Sequence, residues 1–203
     1  MPIMATFVSA YNEGMAKRKA KQRMIGFVGA PSTGKTTLSR AVANMVGLRG
    51  FSVEFVAEYA RTYIQRFGAV ESVHEQLIIF DAQARREDDA RGTAVDFVVA
   101  ETPTFTGYAY GLAAMRSTVK DQEALQVLHR WILARLPFYD RVYYLPIEMP
   151  IQQDGTRMET EGTRRILDSQ LRASLELWSP SYIVVSGGLE DRIQMVLETE
   201  FSS

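Results

Sequence analysis

A chain of 203 residues has the length of one α/β domain and can bury a core that needs no covalent staples. Its 46% hydrophobic and 23% charged residues are those of a folded protein rather than a disordered one. There is no cysteine and there are only two histidines, His74 and His129, which excludes disulfides, thiolate metal sites, cysteine nucleophiles and a histidine-rich metal centre. A formal net charge of −1 argues against coating nucleic acid by bulk electrostatics.

Residues 1–23 read as a helical, basic extension, and residues 24–203 as a single domain. The extension carries Lys17, Arg18, Lys19, Lys21 and Arg23, a short cluster that reads either as a solvated helix end or as a local basic patch. These cations follow the weakly apolar start, which is the wrong order for a secretory signal, and no apolar run is long enough to span a bilayer. A cytoplasmic location, without a membrane partner, is the expectation. The apolar run Met24–Gly29 predicts a buried parallel strand. Leu38, Val42, Met45 and Val46 then recur at helical spacing until Gly47 and Gly50. Residues 52–57 read as a second strand, followed by helical stretches over 60–67 and 72–91. A third strand is expected over 95–100, helices over 105–117 and 121–136, and a fourth strand over 141–145. Residues 146–162 lack periodicity and read as a loop. A helix over 163–178, a strand over 182–185 and a helix over 189–200 close the chain. Strands alternating with helices predict parallel βαβ units.

Gly29-Ala30-Pro31-Ser32-Thr33-Gly34-Lys35-Thr36, followed by Thr37, matches G-x-x-x-x-G-K-[ST] between an expected strand and an expected helix. Glycines there let backbone N–H groups wrap a phosphate, and the helix N-terminus adds partial positive charge. Lys35 is placed to reach the β- and γ-phosphates of ATP, and the Thr36 hydroxyl to ligate Mg²⁺. Glu101 ends the third strand, where ligands gather in open parallel sheets, and is a candidate metal partner; a solvated strand-end carboxylate is the plain alternative. Glu58 ends the second strand in the equivalent place and is the candidate base for an acceptor hydroxyl. Arg61, one helical turn on, is a candidate acceptor contact, with a surface ion pair as its alternative. In the loop, Asp154-Gly155-Thr156-Arg157 and then Arg164-Arg165 supply arginines suited to a transferring phosphoryl group. Adjacent helical residues diverge, so at most one of Arg164 and Arg165 serves there.

Weaker features are Ser186-Gly187-Gly188, read as a turn near the adenine site, and Phe105, Tyr108 and Tyr110, read mainly as core. No N/T-K-x-D guanine-reading motif is present, so the other functional class, an ATPase or GTPase switch acting on a protein partner, ranks below a kinase.

With these residues in view, the sequence resembles P-loop kinases of the NadR type, named for a ribosylnicotinamide kinase domain. The resemblance runs from about residue 24 to 200 and rests on the phosphate loop, Glu58-Tyr59-Ala60-Arg61, Glu101-Thr102 and Asp154-Gly155-Thr156-Arg157. It implies a P-loop kinase fold: five parallel strands in order 2-3-1-4-5 flanked by helices, with a lid loop. It also implies ATP-driven phosphorylation of a nucleoside-type hydroxyl. Position by position, Lys35 and Thr36 bind nucleotide and metal, Glu58 faces the acceptor, Arg157 belongs to the lid, and Arg165 matches the later lid arginine better than Arg164. Glu101 stands where the family commonly has aspartate. Family members are usually fused to an adenylyltransferase, whereas only 23 residues precede the first strand here. The chain also looks similar to stand-alone bacteriophage kinases that phosphorylate hydroxymethyluracil in DNA. The basic segment tilts the expectation slightly toward that modified-DNA acceptor, with ribosylnicotinamide or a free nucleoside or nucleotide as the alternative.

Overall fold

The computed structural model describes residues 21–116, 118–151, 160–178 and 181–202. Strands β1 (Arg23–Val28), β2 (Val53–Val56), β3 (Phe97–Ala100), β4 (Arg141–Tyr144) and β5 (Tyr182–Val184) form one sheet in order β2-β3-β1-β4-β5. All pairs are parallel; Met24 lies beside Val98, Gly26 beside Ala100 and Val142, and Tyr143 beside Ile183. The helices are α1 (Lys35–Leu48), α2 (Tyr59–Phe67), α3 (Val73–Gly92), α4 (Gly107–Ala114), α5 (Val119–Arg135), α6 (Glu161–Trp178) and α7 (Leu189–Phe201). Short 3₁₀ turns at Thr104–Thr106 and Leu136–Phe138 lead out of the β3 end and into β4.

The sheet is covered on both faces, and the strand period decides which residue goes where. Ile25, Phe27, Phe97, Val99 and Tyr143 pack with Leu38, Val42 and Val46 of α1 and Val196 and Leu197 of α7. Their neighbours in sequence turn the other way. Val28, Val142 and Tyr144 join Phe80, Ala109, Leu128, Ile132, Leu167 and Leu171 from α3 to α6, while Met24, Val98 and Ala100 pack with Val56 and Ala90.

Element bounds follow local hydrogen bonds. Ser72 and Glu75 form a reciprocal capping box that starts α3. The Thr163 N–H donates to the Thr160 hydroxyl, starting α6 at Glu161, two residues earlier than its apolar spacing suggests. The helix expected over 105–117 stops at Ala114, where Met115 turns extended and the Arg116 N–H donates to Asp121 Oδ2. The expected N-terminal helix falls outside the described residues save for its end, and there Arg23 is already strand.

Candidate functional site

β1, β2 and β3 all point their C-terminal ends at one edge of the sheet, where a parallel order that reverses around β1 leaves a crevice. The loop from Gly29 to Gly34 leaves β1 and enters α1 directly. Its path requires left-handed backbone at Ser32 (φ 58°) and Gly34 (φ 89°). At Gly29 the constraint is space: a Cβ there would stand 2.7 Å from both the Leu145 carbonyl oxygen and the Thr33 hydroxyl.

Within the loop, Lys35 is buried and its ammonium donates to the Gly29 (2.7 Å) and Ala30 (2.9 Å) carbonyls. The Thr33 hydroxyl also donates to Ala30 O, at 2.8 Å. Thr36 donates its hydroxyl to Glu101 Oε1, and Glu101 Oε2 accepts from the Glu58 N–H at 3.4 Å. One buried carboxylate therefore links the first turn of α1, the end of β3 and the end of β2. Thr37 is exposed.

Glu58 is buried and lines a cavity of about 550 Å³ between α2, α3, α4 and the β3 exit. Ile64, Ile79, Phe80 and Pro103 give the walls their apolar character; Gln76, Gln83, Thr102 and Tyr110 add polar groups. Gln83 Oε1 accepts from the Tyr59 N–H at 2.8 Å. The buried Gln83 Nε2 and Thr102 Oγ1 have no hydrogen-bond partner among the described residues. Arg61, on the first turn of α2, is half-buried and does not line the cavity.

Behind that wall lies a buried polar cluster that sets the corner after β3. Glu87 accepts from the Thr104 N–H and hydroxyl, each at 3.0 Å, and from Arg135 at 3.2 Å. Tyr139 contacts Thr104 through its hydroxyl at 3.0 Å. Burial pushes the Glu87 carboxyl above the usual carboxylate range, and burial beside Glu87 pushes the Tyr139 phenol up as well.

The structure separates the two adjacent arginines. Arg164 is fully buried against the phosphate loop: its Nε donates to Pro31 O (2.8 Å) and one terminal nitrogen to Ser32 O (3.1 Å). Arg165 is exposed and lines a different groove, with Asp168, Arg172, Tyr182 and Val184 at the β4–β5 end. One helical step turns a side chain away from its neighbour's partner, so of the pair Arg164 meets the phosphate-loop backbone in this structure and Arg165 faces the other groove. Asp154, Gly155, Thr156 and Arg157, the lid residues named from the sequence, lie outside the described residues.

Three groups had no place in the sequence reading. Arg192 of α7 is buried and donates to the Thr33 carbonyl at 2.7 Å and to Glu148 at 2.6 Å. Gln76 and Gln83 of α3 reach the cavity. Their signal was present: Gln76, Phe80, Gln83 and Glu87 share one helical face, as do Arg192, Val196 and Glu200, so polar residues occupy core positions. Of the aromatics, Phe105 is core, edge-to-face with Tyr139; Tyr108 packs with His129 and Trp178; Tyr110 reaches the cavity. His74 is exposed and His129 half-buried. Ser186-Gly187-Gly188 forms the turn into α7, with the Gly187 N–H donating to Glu148.

A profile of the AAA domain family matches residues 24–192, from β1 through the N-terminal turns of α7. The chain belongs to this AAA domain family. No curated protein matches its sequence. Among solved structures this AAA domain is similar to NadR protein in complex with NR, with a TM-score of 0.69 and 21% identity, over 87% of the chain and 50% of NadR. A second NadR structure, in complex with NAD and AMP-PNP, gives a TM-score of 0.65 at 21% identity, over 87% of the chain and 49% of NadR. Deoxyadenosine kinase from M. mycoides, with products dCMP and a flexible dCDP bound, gives 0.62 at 12% identity, over 89% of the chain and all of the kinase. The chain thus spans about half the length of the NadR chains it matches. These likenesses establish the fold expected of it, a P-loop kinase fold with sheet order 2-3-1-4-5. Among the described residues no helix is long and apolar enough to cross a membrane.

Proposed function

We propose that this AAA domain is an ATP-dependent kinase that transfers the γ-phosphoryl group to a hydroxyl of a nucleoside-type acceptor. The observation that carries the reading is the placement of Glu58: a buried carboxylate at one end of a nucleoside-sized, mostly apolar cavity, tied through Glu101 to the phosphate loop. ATP would sit on the loop with its phosphates against the N–H groups of residues 32–36 and the Lys35 ammonium. Mg²⁺ fits the donors present, since Thr36 and Glu101 offer hard oxygen atoms already in contact; they would hold the ion, directly or through water. When bound, the ion would neutralise charge on the β- and γ-phosphates. Glu58 would orient the acceptor hydroxyl and take its proton. Arg157 would serve the transferring group, and Arg61 would act near the Glu58 end of α2.

The acceptor's chemistry is read from the walls. Among the described residues, Glu58 is the one charged residue lining the cavity, and neither Lys nor Arg joins it there. That favours a neutral base and sugar over an acceptor that already carries phosphate. The unpartnered Gln83 Nε2 and Thr102 Oγ1 would meet polar atoms of the nucleoside.

The expectation of a hydroxymethyluracil-DNA acceptor rested on the basic segment, of which only Lys21 and Arg23 are among the described residues. Arg23 opens β1 and Lys21 precedes it, so at the usual strand rise both lie roughly 20 Å or more from Gly29 of the phosphate loop. They pair with Asp140 and with Glu200, respectively. Lys17, Arg18 and Lys19 lie outside the described residues. We therefore reverse the acceptor preference and favour a free nucleoside.

The test is transfer from γ-labelled ATP to free nucleosides, ribosylnicotinamide and hydroxymethyluracil-containing DNA in parallel. Label in a free nucleoside or ribosylnicotinamide is the expected result. Label in DNA alone would overturn the acceptor, and ATP hydrolysis with every acceptor inert would favour a switch ATPase instead.

A further inference from the structure

We infer that Arg192, with Arg164, is a positioning residue that holds the phosphate loop in its binding shape before any nucleotide arrives. The inference rests on the nucleotide-binding reading of that loop. Three consecutive loop carbonyls are taken by two buried guanidiniums: Pro31 O and Ser32 O by Arg164, Thr33 O by Arg192. In a trans peptide the next residue's N–H points opposite to the carbonyl. Fixing these carbonyls therefore fixes the Ser32, Thr33 and Gly34 N–H groups toward the other side, as a phosphate nest requires.

The two arginines come from different helices, α6 and α7, and each is anchored beyond the loop. Arg164 also donates to Met149 O at 2.8 Å and lies 3.3 Å from Glu161. Arg192 is held by Glu148, which accepts from the Gly187 N–H as well. Neighbouring residues 148 and 149 thus steer both guanidiniums. Such an arrangement stabilises left-handed backbone at Ser32, a conformation that a residue with a Cβ seldom adopts. A guanidinium is suited to the task because its planar fork can bond two acceptors and stays charged when buried.

Arg192 touches loop backbone and Glu148, so its loss should act on nucleotide capture rather than on the chemical step. In Arg192→Gln, the KM for ATP should rise about tenfold or more, the loss of roughly one charge-assisted hydrogen bond. The kcat at saturating ATP and the acceptor KM should stay within about threefold. Hydrogen exchange of the amides of Ala30 and of residues 32–35 in the nucleotide-free protein should speed up about tenfold, while β3 and α5 keep their protection. Arg192→Lys should recover part of the loss. Glu148→Gln alters a partly exposed side chain and keeps an oxygen acceptor for Arg192, so it perturbs folding less than Arg192→Gln does and should shift exchange and KM in the same direction by less.

Unchanged loop exchange in both variants would overturn the inference, as would faster exchange throughout the sheet with no selective change in the loop. A fall in kcat at constant KM would also overturn it by making Arg192 a contact of the reacting group. Failure of the unaltered protein to bind Mg²⁺–AMP-PNP would sink the kinase reading instead, leaving the exchange result to decide the loop's shape.

Discussion

At the scale of single residues, the site divides into groups that would touch substrate and groups that hold them. Lys35 belongs to the first set. Its ammonium rests on Gly29 O and Ala30 O, so Lys35→Ala removes a buried charge and leaves two carbonyls short of one donor rather than orphaning a charge. The variant should stay folded and lose phosphoryl transfer by a factor on the order of a hundred or more. Wild-type turnover in that variant, measured with any acceptor the protein accepts, would refute the loop's role. Glu58 makes a sharper test, because an amide keeps its shape and cannot take a proton. Glu58→Gln should lower kcat by about a hundredfold with the KM for ATP nearly unchanged. A raised acceptor KM at constant kcat would make Glu58 a binding group. Arg164 and Arg192 belong to the second set, and this distinction was beyond reach in the sequence. Arg164 and Arg165 differ by one helical step, and only the packed position of α6 decides which of them meets Pro31.

At the scale of elements, the crevice depends on how closely β1 can approach the corner after β3. Gly26 sits in mid-β1, and a Cβ there would fall 2.4 Å from Pro103 Cγ. Pro103 is a rigid ring on the wall of the acceptor cavity and is followed by Thr104, which Glu87 and Tyr139 hold. Gly26→Ala must therefore displace that wall. It should destabilise the protein by about 1–3 kcal/mol and raise the acceptor KM more than the KM for ATP. A denaturant midpoint and both KM values equal to wild type would show that the corner yields without effect. The strands and the loop were legible because each signal is local: an apolar run for β1, glycines at the loop, carboxylates just past two strand ends. The cavity was not legible, since its walls come from four segments between Glu58 and Ala114 whose contacts no periodicity specifies. Gln83 had no place in the sequence reading, because only the packing of α3 beneath the β3 exit buries it. The charge of the basic segment was plain in the sequence but its course was not: Lys21 and Arg23 lie at the far end of β1 from the crevice, and Lys17, Arg18 and Lys19 lie outside the described residues.

At the scale of the whole molecule, the two sheet faces are closed by tyrosines whose hydroxyls end on carboxylates. Tyr143 donates to Glu200 of α7, and Tyr144 donates to Asp168 of α6 at 2.8 Å. Tyr139 lies beside Glu87 on the α3 side. In all three, burial first and the neighbouring carboxylate next push the phenol above its ordinary value of 10.0. The unfolded chain therefore releases these protons before the folded one does. Their contribution to stability is complete below about pH 10 and shrinks as pH rises above it, by at most about 1.4 kcal/mol per phenol per pH unit. Urea midpoints should accordingly be flat between pH 8 and 9 and fall from pH 10 to 11. Tyr143→Phe with Tyr144→Phe should remove up to two of the protons behind that slope. Glu200 would remain paired with Arg23 and Arg141, so the loss of its phenol partner is bearable at neutral pH. The double variant should thus be less stable than wild type at pH 8, with the gap narrowing by pH 11. Parallel pH profiles for the two proteins would mean that these phenols titrate alike in the folded and unfolded chains, and that alkaline unfolding has another source.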